Sequence, residues 1–294
     1  SFFDESSTPL LVGVILALVF AACIFGGSRQ ISRITEVLVP FMGIFYLAVA
    51  LFVTVTHYTL IPKMFSDIFS NAFDIRAIFG GFTGSCVMNG IKRGLFSNEA
   101  GVGSAPNAAA SAAVSHPVKQ GLVQMLSVFI DTILICSATA CLLLCSGVAP
   151  SEELKGMPWV QAAASESLGG FGTVFITVAL CLFAFTTLIG NFYYAEMGLK
   201  YLCGKTPGKA LLNLFRIIAA LIVLAGAVME FGLVWSTADV LMGFMALINL
   251  PVILLLGGTA IRCMKDYVRQ KKEGRNPVFK AADIGLKEKT DFWD

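Results

Sequence analysis

Six apolar runs of about 20 residues, the length that carries an α-helix across a hydrocarbon core, dominate this sequence. They are Pro9–Phe25, Val37–Val55, Val123–Leu144, Val174–Tyr194, Ala210–Val228 and Val240–Ile261, and a seventh, interrupted run starts near Ala77. Backbone in lipid must satisfy its polar groups internally, so only helices and closed barrels span a bilayer. Continuous apolar runs of this length lack the alternation of barrel strands. The expected fold is all-α, a polytopic helical membrane protein with about seven transmembrane helices. Composition agrees: 14% of the 294 residues are charged, against about 25% in soluble domains.

Seven spans alternate sides, and basic residues test the count. With the first span running outward-to-inward, the inner loops carry Arg29 and Arg33, then Lys92, Arg93 and Lys119, then Lys200, Lys205, Lys209 and Arg216, and the basic tail from Arg262. The outer loops carry only Lys63, Arg76 and Lys155. The amino end is expected outside and the tail, residues 262–294, in the cytoplasm, first as a basic helix and then as a charged, disordered stretch. SFFDESSTP reads as a loop with neither initiating Met nor signal-peptide pattern, so the chain is expected to be a fragment that begins between two spans. Pro40 falls near a helix start, where proline costs least, and Pro251 lies inside the last run, where a kink is expected. KMFSDIFSNAF suggests a short helix on the membrane surface.

The polar interruptions carry the chemistry. Gly80–Pro106, GGFTGSCVMNGIKRGLFSNEAGVGSAP, crowds glycine and small polar residues into a membrane-buried region. Transporters place such breaks at binding sites, because an unwound helix frees backbone groups to hold ligands. The pair Gly80 and Gly84 also fits close helix packing. A hinge at 80–84 would make Gly81, Phe82, Thr83, Gly84 and Ser85 substrate contacts. Asn98 and Glu99, expected at the cytoplasmic face because Lys92 and Arg93 precede them and Lys119 follows, suit a helix cap, pairing with Lys92 or Arg93, or a gate or ion-path role. Asp131 lies near mid-membrane, where an ionisable residue is a functional hypothesis by default; neighbouring Thr132 or Ser127 would satisfy it in a purely structural role. Thr186 and Thr187 offer paired hydroxyls for a hard cation such as sodium, or simply bond back to their own helix. Trp235, near Asp239, reads as an interfacial anchor or a gate.

None of the eight cysteines forms a C-x-x-C pair, and His57 and His116 are far apart, so no disulfide framework or zinc site is expected. No GxxxxGK[ST], HExxH or GxSxG occurs, nor a carbonyl-filter string or an Arg-rich voltage sensor. An enzyme is not expected, nor a nucleotide-driven pump, nor a nucleic-acid partner.

GIKRGLFSNEAGVGSAP, DTILICSATA, FAFTTLIGNFYYAE and the AxINLP of the last run together resemble the alanine or glycine:cation symporter family, amino-acid transporters of bacteria and archaea in the APC superfamily. The resemblance implies a LeuT-like fold of two inverted five-helix repeats and sodium-driven uptake of a small neutral amino acid across the plasma (inner) membrane. The first two spans, within residues 9–58, would close the first repeat, and residues 77–261 would form the second. It implies no cofactor beyond Na⁺ as coupling ion, substrate contacts at Phe82, Thr83 and Gly84, and sodium ligands at Thr186 and Thr187. The family's amino-terminal portion, with its other broken helix, is expected to be missing. A channel, a non-transporting membrane scaffold, and a proton-coupled carrier using Asp131 remain open.

Overall fold

A computed structural model gives the architecture of residues 8–72, 82–99, 101–149, 151, 154, 156–204, 207–286, 290 and 293, without the side chains of 28–30, 32, 71–72 and 82–89. The described residues are helical, with no strand: α1 Thr8–Phe25, α2 Ser28–Thr56, α3 Ile61–Ala72, α4 Phe82–Asn98, α5 Ala105–Ala109, α6 Pro117–Phe129, α7 Ser137–Cys145, α8 Met157–Leu168, α9 Gly170–Leu202, α10 Lys209–Val228 and α11 Phe231–Lys272. A π-helical stretch, Ile130–Cys136, joins α6 to α7 in one rod. Six helices are long and apolar enough to cross a membrane: α1, Arg33–Thr56 of α2, the rod Pro117–Cys145, α9, α10 and α11. The seventh expected span begins at residues 73–81, which lie outside the described residues, and continues into α4.

Helix ends differ from the apolar runs, because polar residues extend a helix beyond the hydrocarbon without disturbing its hydrogen bonds. α2 starts at Ser28, so Pro40 stands inside a helix rather than at its start. α11 runs unbroken through Pro251 for 42 residues, about 63 Å of helix and twice the hydrocarbon thickness. Leu254 and Leu255 on α11 are 81% and 82% exposed, a surface suited to lipid rather than water.

Two compact units form, residues 1–93 with 131–234, and residues 94–130 with 235–294. In the first, α1 lies along α10, and Gly13 makes the approach possible: a Cβ there would stand 2.7 Å from Ala227 Cβ. Phe20, Ile24, Ile31, Ile189 and Phe192 form the core between α1, α2 and α9, with Phe20 edge-on to Phe192 at 5.8 Å. α8 packs as closely on α9 through Gly172, where a Cβ would meet the Ala164 carbonyl oxygen at 2.4 Å. Tyr46, Phe175, Ile176 and Ala179 fill the space between α2 and α9, and the Tyr46 hydroxyl shares a 2.7 Å hydrogen bond with Thr139 at the start of α7. The expected surface helix is α3, whose Met64 is buried with its sulfur 3.7 Å from Cys145 Sγ.

The second unit holds the end of α4, then α5, α6 and most of α11 with the tail. Residues 276–286 depart from the expectation of a disordered stretch after the basic helix, because their backbone finds partners in the body of the unit. Gln270 clasps Val278 in both directions, donating to its carbonyl at 2.9 Å and accepting from its N–H at 3.0 Å. Ser115 donates to the Pro277 carbonyl at 2.9 Å and accepts from Phe279 N–H through its own carbonyl at 2.9 Å. Lys119 Nζ reaches Asn276 Oδ1 at 2.8 Å.

Candidate functional site: a helix interruption beside α11

α4 stops at Asn98, and three of the following residues adopt left-handed backbone: Glu99 (φ 50°), Gly101 (φ 80°) and Gly103 (φ 99°). Glycine takes this conformation freely, whereas for other L-residues it is strained. Glu99 is the one described non-glycine residue there, and local bonds hold it. Its carbonyl accepts from Val102 N–H at 3.2 Å, and its carboxylate accepts from the hydroxyl of Ser104, which is buried. α5 follows, with Asn107 donating back to the Gly103 and Ser104 carbonyls at 3.2 Å each. Glu99 and residues 101–104 thus lie in an interruption between two helices.

α11 supplies the wall. Asn249 Nδ2 donates to the Gly101 carbonyl at 3.0 Å. A Cβ on Gly103 would come within 2.9 Å of Asn249 Cγ, and one on Gly101 within 3.0 Å of Leu250 Cδ2. Both glycines therefore meet two requirements, a left-handed φ and a neighbour that leaves no room.

Packing along α11 places this interruption. Phe96 meets Trp235 edge-on at 5.0 Å, and His116 faces Asp266 at 3.5 Å. Trp235 and Asp266 are separated by about 46 Å of helix rise, with Asn249 near the middle. The described stretch from Phe96 to His116 thus makes contacts along α11 from Trp235 to Asp266, with the glycine-rich string against its middle. Lys92 and Arg93 sit one turn before Phe96 on α4, and Lys119 one turn after His116 on α6.

The remaining expected site residues are dispersed. Gly81 lies outside the described residues; Phe82, Thr83, Gly84 and Ser85 form the first turn of α4, and their side chains lie outside the described set. Thr186 is buried on α9 and donates to the Leu182 and Phe183 carbonyls at 3.1 and 3.0 Å. Thr187 is exposed and donates to Phe183 O at 2.9 Å. Donation leaves hydroxyl lone pairs available to a cation. Asp131 is half-buried in the first turn of the π-helical stretch, a geometry that is frequent at functional sites. Asn98 ends α4 and Trp235 covers Phe96.

Sequence reasoning missed three polar anchors. Asn249 gave one signal, an amide inside the apolar string FMALINLPVILLL. Glu196 on α9 is buried, with Lys200 Nζ at 2.7 Å and Arg216 of α10 at 3.7 Å. Arg216 in turn lies over the Phe25 ring of α1 at 5.7 Å, so the charges tie three helices together. His116 is fully buried. Its Nδ1 accepts from Val118 N–H at 3.2 Å as the N-cap of α6, which puts the ring proton of the neutral form on Nε2, toward Asp266. Burial pushes the His116 pKa below its usual value, against the opposing pull of Asp266. Asp266 also accepts from Gln270 at 2.8 Å and from Arg269.

Residues 3–281 match the sodium:alanine symporter family. The chain is 43% identical over 285 residues to the amino-acid carrier protein AlsT of Bacillus subtilis, covering 97% of this chain and 60% of that protein. It is 40% identical over 271 residues to the sodium/alanine symporter AgcS of Methanococcus maripaludis, covering 91% and 59%. A sodium/proton-dependent alanine carrier protein of Bacillus sp. PS3 is 38% identical over 309 residues, with 100% and 69% covered. The chain thus spans about three-fifths of the length of the first two relatives. With its apolar helices, its interrupted glycine-rich string and a match over nearly all its length, the chain belongs to the sodium:alanine symporter family, a family of transporters rather than enzymes.

Proposed function

We propose that the complete gene product carries out sodium-coupled symport of a small neutral amino acid, alanine or glycine, across the plasma membrane of a bacterium or archaeon by alternating access. The observation that carries this reading is the interruption at Glu99–Ser104 beside the middle of α11. Irregular backbone at membrane depth is tolerated where protein or a water-filled cavity surrounds it, and such breaks hold substrate and ions in transporters. The relatives named as sodium/alanine symporter and amino-acid carrier support the substrate class.

In this reading a hinge at residues 80–84 is the break that opens the second of two inverted five-helix repeats, residues 77–261, and α1 and α2 end the first. Gly81, Phe82, Thr83, Gly84 and Ser85 contact the substrate. Thr186 and Thr187 supply oxygen ligands to Na⁺ after a change of rotamer, and Asn98, Glu99, Asp131 and Trp235 act at the gates. The amino end lies outside and the tail in the cytoplasm.

Uptake of labelled alanine by proteoliposomes holding the complete gene product tests this. Accumulation that requires an inward sodium gradient, and disappears when choline replaces sodium at fixed pH, is the expected result. Absence of sodium-driven uptake in well-folded samples would sink it. A relative named as sodium/proton-dependent and the placement of Asp131 in a π-helical turn favour a second reading, in which a proton is the coupling ion. That reading requires uptake driven by a pH gradient in choline, and its loss in Asp131→Asn.

A further inference from the structure

We propose that Asn249 is a positioning residue for transport, holding the interruption between α4 and α5 in its working shape by donating from its side-chain amide to the Gly101 carbonyl. This inference rests on the reading of the chain as part of a sodium-coupled symporter.

An interrupted helix leaves carbonyls without their i+4 donors, and in an apolar setting each unpaired group is costly. Most of this loop meets its needs from within: Val102 serves the Glu99 carbonyl, and Asn107 serves those of Gly103 and Ser104. The Gly101 carbonyl instead takes its donor from another helix, 148 residues away in sequence. Asn249 is half-buried, in a helix otherwise apolar for two turns on either side. A lone amide among Leu247, Ile248, Leu250 and Val252 has no packing advantage over leucine, so its hydrogen bond is the physical reason for an amide at that position.

The contact is fitted on both sides. Gly103 brings the chain so close that a single added carbon would stand 2.9 Å from Asn249 Cγ and 3.1 Å from both its Cβ and Oδ1. The amide plane is therefore packed against the loop as well as bonded to it, which fixes the direction of the Gly101 carbonyl. Glu99 and Ser104 flank that carbonyl, and their own bond depends on the loop keeping its path. Asn249 thus sets the geometry of the polar groups of the break without needing to touch a transported species.

The experiment uses the complete gene product in proteoliposomes with Asn249→Leu, Asn249→Asp, Gly103→Ala, and the Asn249→Ala single and Asn249→Ala/Gly103→Ala double variants. Leucine keeps the volume and removes the donor, while aspartate keeps the shape and places an acceptor against the carbonyl. Two quantities are read: half-saturating sodium and alanine concentrations for uptake, and amide hydrogen exchange over residues 99–107. Asn249→Leu and Asn249→Asp are expected to raise a half-saturating concentration about tenfold and to speed exchange at 99–107, leaving exchange in α9 unchanged. A mere loss of folded protein lowers the maximal rate and leaves half-saturation where it was. The double variant is expected to be no worse than Gly103→Ala alone, because both changes break one contact. Wild-type half-saturation together with wild-type exchange in Asn249→Leu would overturn the proposal, as would strictly additive effects in the double variant. If the wild-type protein shows no sodium-driven uptake, the functional reading fails on its own, and exchange at 99–107 still decides whether Asn249 holds the loop.

Discussion

His116 shows how much a single side chain can be asked to do. It caps α6, stacks edge-on to Tyr267 and Phe279 at 5.2 Å each, and points a nitrogen at Asp266. The charged groups nearest it are Asp266, which favours its protonation, and Lys119, which opposes it. Its lowered pKa means that the unfolded chain takes up a proton where the folded one does not. Stability is therefore greatest above about pH 6.5, the unfolded value, and falls as pH drops below it. Hydrogen exchange over residues 276–286, corrected for intrinsic rates, should show weaker protection at pH 5.5 than at pH 7.5, with a smaller difference in His116→Gln. None of this was legible in the sequence, where His116 only flanks an apolar run. The same blindness hid Asn249, because the groups that explain each residue arrive from more than a hundred positions away.

Helices were the easiest elements to anticipate, since each apolar run needs a helix to satisfy its backbone in lipid. Their ends were harder: hydrophobicity marks where the bilayer stops, not where the hydrogen-bond ladder stops, so α2 and α11 overrun their apolar cores. Glycine was legible as a residue that allows close approach, but not which glycine approaches what. Two examples make the difference measurable. Gly172→Ala would push a methyl group into the Ala164 carbonyl, forcing α8 away from α9 at a cost of about 1–3 kcal/mol. Gly190→Ala, also in α9, meets open space and should be neutral or stabilising through helix propensity, by up to about 1 kcal/mol. Thermal unfolding of the detergent-solubilised protein should separate them, with a lower midpoint for Gly172→Ala alone.

At the scale of the molecule, membrane embedding and fold class followed from composition and run length, whereas the path of the chain did not. The string between α4 and α6 carries basic residues on either side in the sequence, and nothing in it announces contacts that run along α11 from Trp235 to Asp266. The tail reads as disordered because it is charged, yet Gln270, Ser115 and Lys119 strap it down. Insertion depends on the apolar runs and strapping on these few bonds, so the two should separate experimentally. Ending the chain after Gly274 should leave the protein in the membrane fraction while lowering its unfolding temperature, and Gln270→Ala should lower it less. Equal melting of the shortened and intact proteins would show that the strap contributes nothing to stability.

The strap also sets an order in time. Ser115 and Pro277 are 162 residues apart, and a ribosome adding roughly 5–20 residues per second needs about 10–30 s to cover that distance. For that interval the His116 ring lacks the edge-on contact of Phe279, and the Ser115 carbonyl lacks the Phe279 N–H. A chain whose synthesis halts anywhere before Phe279 never gains either contact. The last ring to pack on His116 is thus supplied by one of the latest-made parts of the chain.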